Sequence, residues 1–334
     1  MGIAAFLLRD QMPFLANGYA RVLAANTTGL VLAFAAVLLS IFAMAEVMRT
    51  LLNAGQNTAK EGTEPIKISQ TSTLTLVANA WSSTFPGGAV ISTVYQFHTM
   101  RNWGVSVVVS SWFIVVSAAL STVWLIALGL ISVFFLGASF SVVPLVGSAV
   151  ILVGMAFLVW WVTRNPEPTT AFLVSVLNKL GKWGQRPKEA VEKHMVQLDA
   201  VNLSPGKFAW VAFLSLLNWV FDIICLWLCV WAVTGVLPTF ERVENHTTLL
   251  GVTLAFVTAK IVGTAQVTPA GIGPVEAAMT GSLVAVGMTV SSAFGVVLVY
   301  RIISFVFVTL LGWLTYFIDT ARGGVKAEIA SRQG

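Results

Sequence analysis

Four ionisable side chains stand inside long apolar stretches of this sequence: Asp222, Lys260, Glu276 and Arg301. A charge inside a membrane costs about 2.5–3.5 kcal/mol on insertion scales, so such residues usually mark a substrate pathway or an internal ion pair. Lys and Arg could hold a lipid phosphate, and the planar guanidinium binds two phosphate oxygens at once. The sequence therefore predicts a site for a phosphate-bearing group. The structural alternative pairs Lys260 with Glu276, or Arg301 with Asp222, as internal ion pairs.

Two short segments, half a chain apart, contain the same backbone-breaking residues. A shift of 183 positions superimposes them without a gap and places Pro86 on Pro269, Gly88 on Gly271 and Gly104 on Gly287. Proline removes a backbone donor and glycine permits a positive φ, so each segment leaves backbone groups without helical partners. At membrane depth such backbone is tolerated only where protein or a water-filled cavity surrounds it. A helix that begins after Gly273 would add free N–H groups and the positive end of its dipole.

The composition predicts an all-α polytopic membrane protein. Of the 334 residues, 57% are hydrophobic and only 10% are charged, which lies outside the range of soluble domains. Crossing the hydrocarbon core takes about 20 apolar residues. Five runs are nearly free of charge and long enough: 29–45, 104–136, 141–163, 207–234 and 281–318.

Two broken segments, 69–101 and 248–286, lie between these runs. Their arms of about 13 residues would cover only about 20 Å as helices, which is less than a full crossing. We therefore expect two re-entrant hairpins that open from opposite sides of the membrane. The halves 29–136 and 207–318 would then form an inverted repeat, the arrangement of alternating-access transporters. The alternative interpretation is that each broken pair consists of two tilted spans.

The charge distribution predicts how the chain is oriented, because Lys and Arg accumulate in cytoplasmic loops. The net charge is +5, and we attribute it to topology and anionic lipid head groups rather than to nucleic acid. The basic loop 164–206 is expected in the cytoplasm, reached through a connecting span at 137–163, with the tail 319–334 on the same side. Residues 1–28 read as an interfacial amphipathic segment. These features are typical of a multi-pass protein of the plasma membrane.

At this point the residues also carry a family resemblance. The segment Thr268–Glu276, followed by Gly287 and Arg301, resembles the transmembrane region of lysylphosphatidylglycerol synthases, the flippase-like part of multiple peptide resistance factor proteins. The earlier segment, from Phe85 through Gly104, resembles the first motif of that family. The resemblance extends over about residues 29–318 and implies lipid translocation. The soluble aminoacyl-transferase domain of full-length synthases is not recognisable in the sequence, and the resemblance therefore argues against lysyl transfer.

The chain also departs from that family. Many members have Gly-Glu-x-x-Arg after the first proline, whereas this sequence has uncharged residues at 89–93, so no role given to that pair is transferred. His98 and Arg101 lie at the mouth of the first hairpin, where contact with a head group is expected. The predicted substrate site thus comprises Lys260, Pro269, Gly271, Gly273, Glu276, Arg301, Asp222, Pro86, Gly88, His98 and Arg101.

These observations predict a flippase-like transporter of a phosphate-bearing phospholipid or polyprenyl-linked lipid. Its partners would be membrane lipids with anionic or zwitterionic head groups, together with a second copy of the chain or a lipid-synthesising enzyme. No catalytic constellation, metal-ligand spacing or cofactor motif is recognisable in the sequence. Two alternatives stay open: a membrane enzyme that acts on a lipid-linked substrate, and a non-transporting assembly subunit that recruits a soluble partner through residues 166–206.

Overall fold

The computed structural model describes residues 22–56, 65–137, 154, 204–241, 243–266 and 268–333, and describes the helix after residue 321 as backbone only. All regular structure in these residues is helical. The helices are α1 (Thr27–Gln56), α2 (Ile68–Thr84), α3 (Gly88–Asn102), α4 (Val107–Gly137), α5 (Pro205–Thr234), α6 (Leu249–Gly263), α7 (Pro274–Ala285), α8 (Val290–Arg301) and α9 (Val308–Gln333). A short 3₁₀ turn, Pro269–Gly271, lies between α6 and α7, and a π-helical segment, Ile302–Phe307, joins α8 to α9.

Four of the described helices are long and apolar enough to cross a membrane. They are Thr27–Gly55, Val107–Phe135, Pro205–Thr234 and Val290–Ala321, the last of which runs continuously through α8, the π-helical segment and the first part of α9. A helix of 30 residues, such as α5, is about 45 Å long and exceeds the hydrocarbon thickness of about 30 Å. The prediction of an all-helical polytopic membrane protein is therefore confirmed. The predicted connecting span 137–163, most of the loop 164–206 and most of the segment 1–28 lie outside the described residues.

The two broken segments form helix pairs with the predicted boundaries. In the first, α2 packs against α3, and in the second, α6 packs against α7. Gly87 carries the positive φ of the first turn, at 64°. Gly88 is buried and opens α3, and a Cβ there would overlap the backbone of Ser82. The second turn bends more sharply, with positive φ at Ala270, Gly271 and Gly273.

The two segments also leave their second helices in the same way. Gly104 and Gly287 both have positive φ, at 81° and 112°. The next N–H in each case donates back to the helix, from Val105 to the Met100 carbonyl at 3.1 Å and from Met288 to the Leu283 carbonyl at 3.0 Å. This is the hydrogen-bond pattern of a helix that terminates at a left-handed residue. The second helices of the two pairs, α3 and α7, therefore end with the same local structure, at positions that the 183-residue shift aligns.

The turns of the two helix pairs touch each other through Gln266. Its backbone carbonyl accepts from the Gly87 N–H at 3.1 Å, and its Oε1 accepts from the Ala89 N–H at 2.8 Å. The side chain thereby satisfies one of the free donors at the start of α3, in the way that an N-cap residue does. Gln266 itself has a φ of 43°, a conformation that costs a non-glycine residue about 1 kcal/mol or more.

The long helices fix the ends of the bundle. Helices α1 and α5 are antiparallel, since the Asn26 N–H at the start of α1 donates to the Ala232 carbonyl at the end of α5 at 2.8 Å. At the other end of α1, Asn53 Nδ2 donates to the Ile66 carbonyl and Asn53 Oδ1 accepts from the Ile66 N–H. The entry to α2 therefore lies beside the C-terminal end of α1.

Two apolar cores hold these helices, one toward each end of the bundle. One contains the N-terminal half of α1 and the C-terminal half of α5 together with α6, α7 and α8. The other contains the C-terminal part of α1, the start of α5 and most of the first half of α4, with Leu74 and Met100 from the first helix pair. The middle of α1 and the middle of α5 lie between the two cores.

Helix α9 packs closely against α2 at Gly312, and a substitution there tests this packing. A Cβ at Gly312 would come within 2.8 Å of Ala80 Cβ and would overlap the Leu76 carbonyl. We expect Gly312→Leu to lower the melting temperature in detergent by about 2–10 °C, since overpacking costs about 1–3 kcal/mol. The matched control is Gly281→Leu on α7, where a Cβ meets nothing within 4 Å. Equal melting temperatures for the two variants would contradict the close packing of α9 on α2.

Candidate functional site

A cavity of about 510 Å³ lies between the two apolar cores. Helix α1 contributes residues around Ser40 and Met44, and α5 contributes Asn218, Trp219 and Asp222. These positions fall near the midpoints of helices of 30 residues each, about 20 Å from either end. If both helices span the bilayer, the cavity is therefore near the bilayer midplane, the depth at which transporters built from broken helices bind their substrates.

One wall of the cavity carries an ion pair between α5 and α6. Lys260 Nζ lies 3.3 Å from Asp222 Oδ2, and the lysine side chain is 38% exposed, whereas that of the aspartate is 16% exposed. The ammonium also lies over two aromatic rings, 5.3 Å from the Trp219 centroid and 5.1 Å from the Phe256 centroid. Cation–π contacts of this kind add about 0.5–2 kcal/mol. The lysine is thus held at the wall with part of its surface open to the cavity.

A second charged group binds the broken turn to α8. Arg301 Nε donates to Glu276 Oε1 at 2.6 Å, and a terminal nitrogen of Arg301 donates to the Ala270 carbonyl at 2.9 Å. The other carboxylate oxygen of Glu276 accepts from the Gly273 N–H at 2.6 Å. Arg301 and Glu276 together therefore satisfy two backbone groups that the turn between α6 and α7 leaves without helical partners.

The backbone around Arg301 is itself irregular. The π-helical segment Ile302–Phe307 begins immediately after it, and such segments are frequent at functional sites. The guanidinium carbon lies 4.6 Å from the Phe305 ring centroid. Phe305 and Ser304, one turn beyond the arginine, line the cavity with it.

A second wall of the cavity is polar but uncharged. It is formed by α2 and α3, which contribute Thr75, Asn79, Ser82, Ser83, Ser92 and Gln96. The α2 positions are spaced at i, i+4, i+7 and i+8, which places them on one helix face. The two helices are tied together here, since Ser92 Oγ donates to the Ala78 carbonyl at 2.8 Å.

The structure brings most of the predicted site residues to one region. Asp222, Lys260 and Arg301 line the cavity. Glu276 is not among the lining residues but accepts a hydrogen bond from Arg301. The turn residues meet at the same place through the hydrogen bonds of Gln266 with the first turn. These turn residues are Pro86, Gly88, Pro269, Gly271 and Gly273.

Two predicted residues lie elsewhere, and both pairings of the alternative interpretation are wrong. His98 and Arg101 are exposed near the C-terminal end of α3 and are not among the residues that line the cavity; Arg101 donates to the Val105 carbonyl. The pairings anticipated from the sequence, Lys260 with Glu276 and Arg301 with Asp222, are exchanged. The reason is that Glu276 lies in the first turn of α7 beside the broken backbone, where Arg301 reaches it, whereas Lys260 on α6 faces α5.

The sequence interpretation missed several polar residues of the cavity, among them Gln266 and Asn218. Asn218 Nδ2 donates to the Ser40 carbonyl at 3.0 Å and to Ser40 Oγ at 2.8 Å. A signal was available for it, because an amide side chain within the apolar run 207–234 needs a polar partner. No sequence signal could have paired Gln266 with the first turn, which is 177 residues away.

Comparison with known proteins places the chain in a family. A model of the family described as the lysylphosphatidylglycerol synthase TM region matches residues 14–312. The chain belongs to this family. The resemblance seen in the two broken segments is confirmed, and with it the membrane character of the chain.

One relative of this lysylphosphatidylglycerol synthase TM-region protein is a UPF0104 membrane protein of Methanocaldococcus jannaschii. It is 27% identical over 122 residues, which cover 36% of this chain and 32% of the relative. The match thus spans about a third of either protein. Within the described residues of this family member, no group of three or more His, Cys, Asp and Glu side chains could hold a metal ion.

The coupling between Arg301 and Glu276 can be measured in a double-mutant cycle. Their side chains are only 14% and 23% exposed, so we expect Arg301→Gln and Glu276→Gln to show a coupling free energy of about 1–3 kcal/mol in unfolding. The control is the Arg49–Glu46 pair on α1, in which the arginine is 41% exposed, with an expected coupling of about 0.5 kcal/mol. Additive effects of Arg301→Gln and Glu276→Gln would show that the two side chains do not stabilise the turn together.

Proposed function

We propose that this protein is a flippase-like transporter, which moves a phosphate-bearing phospholipid or polyprenyl-linked lipid between leaflets by alternating access. The observation that carries the proposal is the polar cavity halfway along the spanning helices, with Lys260 and Arg301 on one wall. Ionisable groups at this depth are costly and are found where a polar substrate passes. The head group would occupy the cavity while the hydrocarbon tail stays in the surrounding lipid.

The two cations have hydrogen-bonding capacity left for a phosphate. Among the described residues, Lys260 gives one of its three N–H groups to Asp222, and Arg301 uses Nε and one terminal nitrogen. A phosphate could therefore bind without first breaking either ion pair, and the guanidinium would offer the planar fork that suits phosphate oxygens. The carboxylates hold the cations in place when no lipid is bound. The proposal assigns no covalent chemistry to the cavity.

An inverted relation of the two halves would give this cavity its two openings. Three contacts support the arrangement. The entry to α2 adjoins the C-terminal end of α1. The end of the second helix pair lies near the C-terminal end of α5. There His246 lies close to Gly287, and a small pocket is lined both by Met288 and by the last residues of α5. The tips of the two helix pairs meet through Gln266. Both pairs would thus be re-entrant hairpins entering from opposite sides, and rocking of the halves would expose the head group to alternate leaflets.

The orientation and partners belong to the same proposal. The basic residues of 164–206 favour a cytoplasmic position for this loop and for the C-terminus, in a plasma membrane whose inner leaflet is anionic. Membrane lipids with anionic or zwitterionic head groups would be its ligands. A lipid-synthesising enzyme on the cytoplasmic side would supply them, and a second copy of the chain could share the interface.

Transport by purified protein in vesicles tests the proposal directly. Vesicles containing the full chain should move a fluorescent phospholipid between leaflets, as read by dithionite quenching. Arg301→Ala and Glu276→Gln should abolish this transfer. The first removes the guanidinium that would bind the phosphate, and the second removes the carboxylate charge that holds this guanidinium in place. Each variant is assayed below its own melting temperature, so that loss of transfer does not reflect loss of the fold.

The control for this assay is Lys67→Gln, which removes an exposed cation that is not among the residues lining the cavity. It should transport at the rate of the unaltered protein. Unchanged transfer in both Arg301→Ala and Glu276→Gln would remove these residues from the transport site, and no transfer by the unaltered chain would overturn the proposed function.

Single cysteines in a background without Cys225 and Cys229 test the inverted arrangement. Cysteines at Ser69 and Ser204 should react with a membrane-impermeant thiol reagent from one side of sealed vesicles. Cysteines at Glu241 and Glu244 should react from the other side. If α2 and α3 were instead two full spans, a cysteine at Pro86 would react as readily as one at Glu244 and from the same side.

A further inference from the structure

The two halves of the cavity differ in charge. Under the 183-residue shift, the positions that correspond to Lys260, Glu276 and Arg301 are Val77, Thr93 and Ala118. Of the described residues that line the cavity, every charged one comes from α5, α6 or α8. The described part of the wall formed by α2 and α3 therefore offers only neutral hydrogen-bonding groups, although the two halves are alike where the second helices end, at Gly104 and Gly287.

The neutral wall has hydrogen-bonding capacity to spare. Thr75 Oγ1 is buried, in a residue only 5% exposed, and it has no partner within the described part of the chain. A buried hydroxyl without a partner is destabilising, because it has lost its hydrogen bonds to water. Asn79 uses its amide N–H within α2, and Gln96 reaches Ser92 only at 3.4 Å. A ligand with hydroxyl groups would satisfy these side chains.

On the charged wall each carboxylate is already paired with a cation, whereas both cations keep N–H groups that no described residue uses. Glu276 uses both carboxylate oxygens, one for Arg301 and one for the Gly273 N–H. Asp222 is bonded to Lys260 and is the less exposed member of that pair. An ammonium group on a ligand would thus meet two carboxylates whose charge is already paired with a protein cation, whereas a phosphate would find the remaining N–H groups of two cations.

From this polarity we infer the class of head group, an inference that rests on the proposed function. We propose that the cavity binds a phosphodiester that carries an uncharged polyol or sugar and no amine. The phosphate would lie against Lys260 and Arg301, and the hydroxyls would lie against Asn79, Gln96 and the serines of α2. A volume of about 510 Å³ falls within the range of about 300–1,000 Å³ that is usual for small-molecule sites.

Lipid competition on the full chain in nanodiscs tests this inference, with bound lipid read by native mass spectrometry. Four probes with identical acyl chains separate the contributions. Phosphatidylglycerol and phosphatidylinositol carry the phosphate and hydroxyls; phosphatidylethanol carries the same phosphodiester charge without a hydroxyl; phosphatidylethanolamine adds an amine. We expect the two hydroxylated lipids to bind at least about tenfold more tightly than the other two, since one or two hydrogen bonds of this kind are worth that factor.

The neutral wall is tested by Asn79→Leu combined with Gln96→Leu. This variant should lose the preference for phosphatidylglycerol over phosphatidylethanol while still binding phosphatidylethanol. Ser83→Ala, a milder change, should reduce the preference in part if the double variant does not fold. Thr73→Val is the matched control, because Thr73 lies on α2 but is not among the residues lining the cavity, and it should keep the full preference.

The failure of this inference is distinguishable from failure of the proposed function. Phosphatidylethanol binding as tightly as phosphatidylglycerol would overturn the role of the hydroxyls, and tighter binding of phosphatidylethanolamine would overturn the exclusion of amines. In both cases a phosphate-bearing lipid is still bound, and the proposed transporter stands. Binding of none of the four probes would overturn the inference and count against the transporter as well.

Discussion

The constraint on which this structure depends is that a polar group within a membrane must find a partner inside the protein or in enclosed water. The two breaks at Pro86 and Pro269 interrupt the helices that would otherwise satisfy their own backbone. Their free groups are satisfied from elsewhere in the fold: Gln266 accepts from Gly87 and Ala89, and Arg301 donates to Ala270. The same contacts bring both breaks to one cavity, so satisfying the backbone also builds the site.

The ion pairs follow from the same constraint. A lone charge within a membrane would be too costly, and pairing with Asp222 and Glu276 lowers that cost for Lys260 and Arg301. The lysine is more exposed than its partner aspartate, which leaves the cation as the accessible member of that pair. Among the described residues that line the cavity, the charged ones are on α5, α6 and α8, and those of α2 and α3 are neutral.

Much of the fold could be predicted from the sequence, and the particular elements show why. The bounds of α2, α3 and α7 fall within a few residues of the expected arms, because proline and glycine act on the backbone locally. Asp222, Lys260 and Arg301 were recognisable because a charge in an apolar run is rare. The π-helical segment after Arg301 gave no sequence signal, since it differs from an α-helix only in how neighbouring turns are bonded.

The sequence by itself determined the membrane class, the four described spans, the two breaks and the ionisable residues between them, because composition and helix-breaking residues act over short distances along the chain. Only the tertiary structure decided which carboxylate each cation meets and which turn Gln266 caps. Those contacts join residues 38, 25 and 177 positions apart. At such separations the partner of a side chain depends on how whole helices pack, and a local pattern of residues cannot specify it.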